Sequence, residues 1–194
     1  MSIPNYSIAM DFDDVAYDFC GGVTAVLADE GITGEISQWE MEHDFGLSKA
    51  DFWELVYQPK HHETLFLQPV AYTVLAQIRR LVYAGHALHI VTARDGEHPE
   101  RFCREVLARE KIPASTLTFT SDKAAAVREL EADFALDDRP KNVIAMGQAG
   151  AAAFLMTAPH NTNVTGLPRV HNMTEFTNTV IGFQDAGVQL RGIA

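Results

Sequence analysis

The sequence predicts an α/β fold: a doubly wound, Rossmann-like parallel sheet with a small helical cap inserted after the first strand. Short β-like apolar runs alternate with longer amphipathic segments along most of the chain. Strands that alternate with helices form right-handed βαβ units around a mostly parallel sheet. One long interval, residues 15–68, interrupts this alternation directly after the first run, where a connection of about 2–6 residues is usual.

The elements of the predicted core follow from runs of apolar residues and from helix-terminating residues. The predicted strands are Ser7–Met10, Ala87–Thr92, Thr116–Phe119, Asp133–Leu136 and Ala152–Met156. Four helices are predicted in the core. The first carries Val70, Val74, Ile78 and Leu81 on one face and ends near Gly85. The second begins near Pro99, the third covers Ala124–Glu131, and the fourth follows Pro140. This alternation places helices on both faces of the sheet.

The long interval predicts a division of the chain into a core of residues 1–14 and 69–194 and a cap of residues 15–68. Within the cap, Val15–Asp29 and Lys49–Tyr57 have helical patterns. Nine acids and two lysines lie between Asp29 and Glu63, which accounts for −7 of the formal net charge of −11. An insertion at this place lies over the carboxyl ends of the strands, where open sheets bind their ligands.

Composition excludes several classes of protein. The 194 residues, 47% of them hydrophobic, are enough for one domain with a core that needs no disulfides. The only cysteines are Cys20 and Cys103, and no signal peptide or apolar run of about 20 residues is present, so we expect a cytoplasmic protein. The net charge of −11 argues against a nucleic-acid polymer or a membrane surface as partner, but it permits a small anionic substrate.

Paired acids follow two of the predicted strands. Asp11 and Asp13 come directly after the first strand, and Asp137 and Asp138 come after the fourth. Taken alone, each pair could be a polar loop or a helix cap. Carboxylates that meet at one edge of a sheet need a cation between them, and a site with oxygen ligands only favours Mg²⁺. The sequence therefore predicts that Asp11, Asp13, Asp137 and Asp138 form a Mg²⁺ site.

Two further segments place anion-binding groups at the same edge. Thr92, Ala93 and Arg94 end the second predicted strand with a hydroxyl, a backbone amide and a guanidinium. Lys123 stands at the start of a predicted helix, where anions are favoured. Considered alone, Thr92 would be interpreted as a residue that forms a hydrogen bond at the end of a strand, and Lys123 as a solvent-exposed surface residue. Their order along the chain, between the two acidic pairs, is what indicates a phosphate site.

The ordered set resembles the motifs of the haloacid dehalogenase-like phosphohydrolase superfamily. The motifs are Asp11-Phe12-Asp13, Thr92 in HIVTAR, Lys123 in TSDKAAAV and Asp137-Asp138 in FALDDRPKN. The segments FLQPVAYTVLAQIRRL and FLMTAPHN…RVHNMTEF are similar to those of the 5′(3′)-deoxyribonucleotidases, which also insert a small helical cap after the first motif. The chain departs from that family at Asp14, where glycine is usual, and at Ala93-Arg94, where Ser-Pro is usual.

The resemblance implies a Mg²⁺-dependent phosphomonoesterase that acts on nucleoside monophosphates through an aspartyl-phosphate intermediate. Asp11 would attack phosphorus, and Asp13 would protonate the leaving group and later activate water. The backbone carbonyl of Asp13 would bind the metal together with Asp138. Asp137 would either share that role or orient a metal-bound water. Lys123, Thr92 and the Ala93 amide would bind the phosphate oxygens.

Substrate recognition falls to the cap and to Arg94 in this interpretation. Phe45 is the first candidate to stack on a nucleobase, and packing within the cap is its alternative role. Another small phosphate ester, a nucleic-acid 3′ phosphate, or a catalytically silent phosphate-binding module are the alternative functions. The resemblance also raises the expectation of a homodimer, because the related nucleotidases tend to dimerise.

Overall fold

Six strands form one parallel sheet at the centre of the fold, in a computed structural model that describes residues 4–94 and 97–190. The strands are β1 (Ser7–Met10), β2 (Ala87–Thr92), β3 (Thr116–Phe119), β4 (Phe134–Asp137), β5 (Ala152–Met156) and β6 (Arg169–Val170). Their order is β3-β2-β1-β4-β5-β6, and each neighbouring pair is parallel. The reversal of order beside β1 is the mark of a doubly wound sheet and confirms the predicted fold class.

Helices connect these strands. They are α1 (Phe19–Asp29), α2 (Met41–Asp44), α3 (Lys49–Val56), α4 (His62–Phe66), α5 (Tyr72–Tyr83), α6 (Glu97–Arg109), α7 (Lys123–Glu129), α8 (Pro140–Gln148) and α9 (Met173–Asp185). The first four lie between β1 and α5, which is the interval that the sequence predicted to be inserted. We call residues 15–68 the insertion.

The two faces of the sheet bury different side chains, because successive residues of a strand point to opposite faces. On one face, the larger residues of β1, Ile8 and Met10, belong to an apolar cluster that includes Ile78 of α5 and Phe176 of α9. On the other face, Ala9 packs in a cluster with residues of α7 and α8. Helices therefore cover both faces of the sheet, as the alternation of elements predicted.

The insertion has an apolar cluster of its own. Its buried members are Cys20, Val23, Val26, Leu27, Ile36, Met41, Phe52, Val56, Leu65, Phe66 and Phe102, of which only Phe102 lies outside the insertion. Helices α1 and α4 pack closely at Gly22, where a β-carbon would come within 3.0 Å of the carbonyl oxygen of Leu65. The insertion is thus a packed helical unit rather than a loop.

The sequence misplaced some boundaries and missed the short helices α2 and α4 of the insertion as well as β6 and α9. The first helix was predicted from Val15 but begins at Phe19, because Asp18 caps it by accepting a hydrogen bond from the amide of Gly21 at 2.8 Å. The short strand β6 and the helix α9 carry no strong periodic signal and were not predicted. None of the helices in the described ranges combines the length and the apolar composition that a membrane span requires.

Candidate active site

The candidate active site lies at the carboxyl edge of the three central strands. β1 stands between β2 and β4, with Met10 in register with Ile90 on one side and with Leu136 on the other. The amide of Asp11 continues this ladder and donates to the carbonyl of Leu136 at 2.9 Å. The residues that directly follow the strands therefore meet at one edge, and the parallel register explains why motifs far apart in sequence come together.

Three carboxylates converge at this edge. Oxygens of Asp11, Asp137 and Asp138 lie within 4.8 Å of one another. Burial raises the pKa of Asp11 well above its usual range, Lys123 opposes that rise, and the charges of Asp137 and Asp138 add to it. Burial likewise raises the pKa of Asp138. Burial and like charges therefore make these carboxylates costly to ionise without a further cation.

Lys123 is the ammonium at the centre of this group. Its side chain is buried, and its Nζ lies 2.7 Å from Asp11 Oδ1 and 3.1 Å from Asp137 Oδ2, while it donates to the Val91 carbonyl at 2.7 Å. Burial alone would lower the pKa of Lys123, but the two carboxylates outweigh burial and raise it. The lysine therefore remains charged, and one positive charge faces three carboxylates.

The two neighbouring acids after β4 have different surroundings. Asp137 is fully buried and accepts hydrogen bonds from the amide of Arg139 at 2.8 Å and from Asn142 Nδ2 at 3.0 Å, in addition to Lys123. Asp138 lines the cavity above the site, and its Oδ2 lies 2.8 Å from His160 Nε2. Asp137 is held in place by protein donors, whereas Asp138 faces the space where a ligand would bind.

The segment after β2 combines a buried hydroxyl with an ion pair. The Thr92 hydroxyl, fully buried, accepts the amide of Arg94 at 3.3 Å, and Ala93 lines the cavity. Arg94 binds Asp13 with two nitrogens, at 2.6 Å through Nη2 and 3.0 Å through Nε. The guanidinium also lies 4.8 Å from the centre of the Phe12 ring. The Asp13 carboxylate is thus held by Arg94, apart from the three converging carboxylates.

A cavity of about 750 Å³ lies above the carboxylates. Its lining joins site residues to residues of the insertion, and its aromatic members are Phe19, Trp39, Trp53, Tyr57 and Phe66. A volume of this size suits a small organic ligand. Phe45 is absent from the described residues that line the cavity; it packs against Phe52 at 6.1 Å between ring centres, inside the insertion's apolar cluster. This position favours its packing role.

The sequence analysis did not identify three of the residues that lie at the site. Asn142 and His160 contact Asp137 and Asp138, and Trp53 lines the cavity. Asn142 stands within the FALDDRPKN motif, five residues after Asp137 and in the first turn of α8, from which its side chain reaches both oxygens of Asp137. His160 offered no such signal, because it comes from the loop after β5.

Comparison with known proteins agrees with this geometry. Residues 5–184 match the family described as 5′ nucleotidase, deoxy (Pyrimidine), cytosolic type C protein. A curated relative, "Putative nucleotidase BH1399" of Halalkalibacterium halodurans, is 24% identical over 146 residues, which is 73% of each chain.

Solved structures show the same fold at low sequence identity. A HAD family hydrolase from Deinococcus radiodurans R1 superposes with a TM-score of 0.63 at 15% identity, over 93% of this chain and 97% of that one. A haloacid dehalogenase-like family hydrolase from Streptococcus pneumoniae gives a TM-score of 0.57 at 12% identity, over 91% and 98%. The protein is a phosphoric monoester hydrolase, and it belongs to the 5′ nucleotidase, deoxy (pyrimidine), cytosolic type C family.

Proposed function

We propose that the protein hydrolyses deoxynucleoside monophosphates with a bound Mg²⁺ ion. The observation that carries this proposal is the group of three converging carboxylates, two of them buried, with a single ammonium among them at the floor of an aromatic-lined cavity. Oxygen-only donors and uncompensated negative charge fit Mg²⁺, which prefers a few carboxylates together with the oxygens of a phosphate. Asp11, Asp138 and the Asp13 carbonyl would hold the ion, and Asp137 would support them from the inner side.

Mg²⁺ bound there would neutralise the charge of the phosphate oxygens. Asp11 is the nucleophile in this proposal. Its Oδ1 is occupied by the Lys123 ammonium and by the Phe12 amide, which donates at 2.7 Å. Oδ2 has no hydrogen-bond donor among the residues that the structure describes, so it is the oxygen available to attack phosphorus.

The proposed reaction has two steps, transfer of the phosphoryl group to Asp11 and hydrolysis of the resulting aspartyl-phosphate. Asp11 Oδ2 would bond to phosphorus while the bond from phosphorus to the ester oxygen breaks. Asp13, protonated and released from its ion pair with Arg94, would supply the proton that the leaving alkoxide needs. Asp13 next takes a proton from water, whose oxygen attacks phosphorus and releases inorganic phosphate from Asp11. Lys123, the Thr92 hydroxyl and the Ala93 amide would stabilise the charge that develops on the phosphoryl oxygens.

The lining of the cavity favours a nucleoside as the rest of the ester. Trp39, Trp53 and Tyr57 offer flat apolar surfaces, and aromatic rings bind nucleobases by stacking. Glu40 and Glu42 also line the cavity, and their charge disfavours substrates with further phosphates. The Deinococcus hydrolase, which has the same fold, was solved with bound phosphate and sodium, and the pairing of an anion with a cation is what we propose here for phosphate and Mg²⁺.

A substrate panel tests the proposed function. We expect 2′-deoxynucleoside 3′- and 5′-monophosphates to be hydrolysed with Mg²⁺, and hydrolysis to stop when EDTA removes the metal. Phosphate release is the measurement, with the ribonucleotides, an aryl phosphate and a 3′-phosphorylated oligonucleotide as comparisons. If the aryl phosphate is hydrolysed but no nucleotide is, the substrate is another small phosphate ester. If no compound is hydrolysed, the protein is a catalytically silent phosphate-binding module.

Trp53→Ala separates base recognition from chemistry. The Trp53 ring lines the cavity and stacks on Tyr57, with 5.3 Å between ring centres. We expect about a tenfold rise in KM for nucleotides, because stacking on an aromatic ring contributes about 1–3 kcal/mol per base. Turnover of an aryl phosphate should stay unchanged. Phe45→Ala is the matched control, because Phe45 packs against the insertion's apolar cluster. This substitution should lower thermal stability without a selective rise in nucleotide KM. A selective rise in nucleotide KM in Phe45→Ala but not in Trp53→Ala would assign base stacking to Phe45.

A further inference from the structure

A second group of metal-binding side chains lies beside the proposed Mg²⁺ site and has no role in the chemistry above. Atoms of Asp14, Cys20 and His160 lie within 4.8 Å of one another. The Cys20 Sγ is 3.0 Å from Asp14 Oδ2 and 3.7 Å from His160 Nδ1. Unlike the carboxylates that face phosphate, this group combines one sulfur, one nitrogen and one oxygen donor.

The spacing of these atoms suits a tetrahedral ion. With metal–sulfur bonds of about 2.3 Å and metal–nitrogen or metal–oxygen bonds of about 2.0–2.1 Å, tetrahedral geometry puts sulfur about 3.5 Å from its neighbouring ligand atoms. The two observed distances, 3.0 and 3.7 Å, lie on either side of that value. The sulfur is therefore within about half an ångström of the spacing that zinc requires from each of the other two atoms, and those two atoms lie within 4.8 Å of each other.

The three ligands are held by separate parts of the fold. Asp14 follows β1 in a left-handed conformation with φ of 53°, and its Oδ1 accepts the amide of Cys20 at 2.8 Å. Aspartate is among the residues that adopt this conformation most readily after glycine. His160 belongs to the short 3₁₀ turn Pro159–Asn161, which Asn161 anchors by donating to the carbonyls of Asp138 and Met156, both at 2.7 Å.

The orientation of His160 matches that of a zinc ligand. Its Nε2 lies 2.8 Å from Asp138 Oδ2, so its Nδ1 is the nitrogen that faces Cys20. A carboxylate on the far side of the ring is the usual companion of a metal-binding histidine. Both residues are shielded from water, because His160 is only 8% exposed and Cys20 only 3% exposed. Asp14 lines the cavity, which gives an ion a route to the group.

We propose that Asp14, Cys20 and His160 form a zinc site distinct from the Mg²⁺ site, with a cavity water as the fourth ligand. A thiolate and an imidazole select Zn²⁺ over Mg²⁺. On binding, the S–H bond of Cys20 breaks, its proton passes to solvent and the thiolate bonds to zinc. The ion would fasten the start of α1 to the loop after β5.

Cobalt(II) titration of the metal-free protein tests the site, because a thiolate ligand gives a charge-transfer absorption that an oxygen-only site does not. We expect this band to saturate at one cobalt per chain, to persist in excess Mg²⁺ and to disappear when Zn²⁺ is added. The chain has two cysteines, which provides a matched control. Cys103→Ser should retain the band and Cys20→Ser should lose it. Thermal unfolding of each metal-free variant verifies that it is folded.

Asp14→Gly provides a second test that leaves both cysteines in place. Loss of this ligand should weaken cobalt binding at least about tenfold, and Asp138→Asn, which removes the companion of His160, should weaken it about 10–100-fold. Absence of the thiolate band in the wild-type protein, its survival in Cys20→Ser, or unchanged affinity in Asp14→Gly would overturn the proposal. The readout requires no phosphatase activity, so failure here and failure of the proposed nucleotidase function are separate results.

Discussion

Asp11→Asn should reduce turnover by at least about 10³-fold while the protein remains folded and still binds phosphate. The amide has nearly the shape of the carboxylate but is not a nucleophile, and a reaction that proceeds through a covalent intermediate loses most of its rate with that group. The change also removes one of three crowded negative charges, so the free energy of unfolding should not fall. Steady-state phosphate release with an aryl phosphate and a nucleotide measures the effect.

The matched control is Asp29→Asn, which makes the same change on the exposed end of α1 and should retain wild-type turnover. Beryllofluoride provides a direct test, because it should form an adduct on Asp11 in the wild-type protein and none in Asp11→Asn. If Asp11→Asn kept more than a few percent of wild-type activity, covalent catalysis by this residue would be wrong.

Lys123→Met should damage both catalysis and stability. The methionine retains the length of the buried side chain but leaves Asp11 and Asp137 without their ammonium partner. Removing one partner of a buried ion pair costs about 3–5 kcal/mol. We expect a loss of this size in the free energy of unfolding without metal at neutral pH, and at least about a 10³-fold loss of turnover.

The stability loss should depend on pH in a direction that identifies its cause. Removing the ammonium takes away the charge that opposes the rise, so the folded-state pKa of Asp11 moves further above its unfolded value. That shift lowers stability at pH values above the folded-state pKa of Asp11, and the cost disappears below its unfolded-state pKa, where the group is neutral in both states. Denaturant unfolding of Lys123→Met and wild type at several pH values measures the difference. A loss of stability that is the same at acidic and neutral pH would indicate a packing defect instead.

The sequence predicted best what depends on strand ends. Asp11, Asp137 and Lys123 each follow an apolar run or begin a helix beside one, and a parallel sheet with β1 at its centre brings such positions together. The match to a family over residues 5–184 agrees with the motifs that these residues form. The predicted order of strands and helices was correct for the same reason, since buried strands and amphipathic helices carry strong apolar patterns.

The sequence could not predict contacts that depend on the direction of side chains between elements. Arg94 lines the cavity, and its expected role in binding substrate stays a prediction, but its pairing with Asp13, 81 residues away along the chain, had no signal in the sequence. Phe45 and Trp53 are both aromatic residues of the insertion, and only their packing shows that Trp53 faces the cavity. No local pattern distinguishes such residues, because their orientation is set by neighbours that are distant in sequence.

The apolar cluster of the insertion has a consequence for how substrates reach the site. Phe102 of α6 stacks on Phe66 with 5.3 Å between ring centres, and Arg109 of the same helix donates to the carbonyls of Leu67 and Gln68 at 2.8 and 2.9 Å. Swinging the insertion away would expose these rings to water and break those bonds, at a cost of several kcal/mol. Substrate and product should therefore pass through the mouth of the cavity as it stands. The opening of the cavity then has a fixed size, and the shape of an ester decides how fast it enters the site.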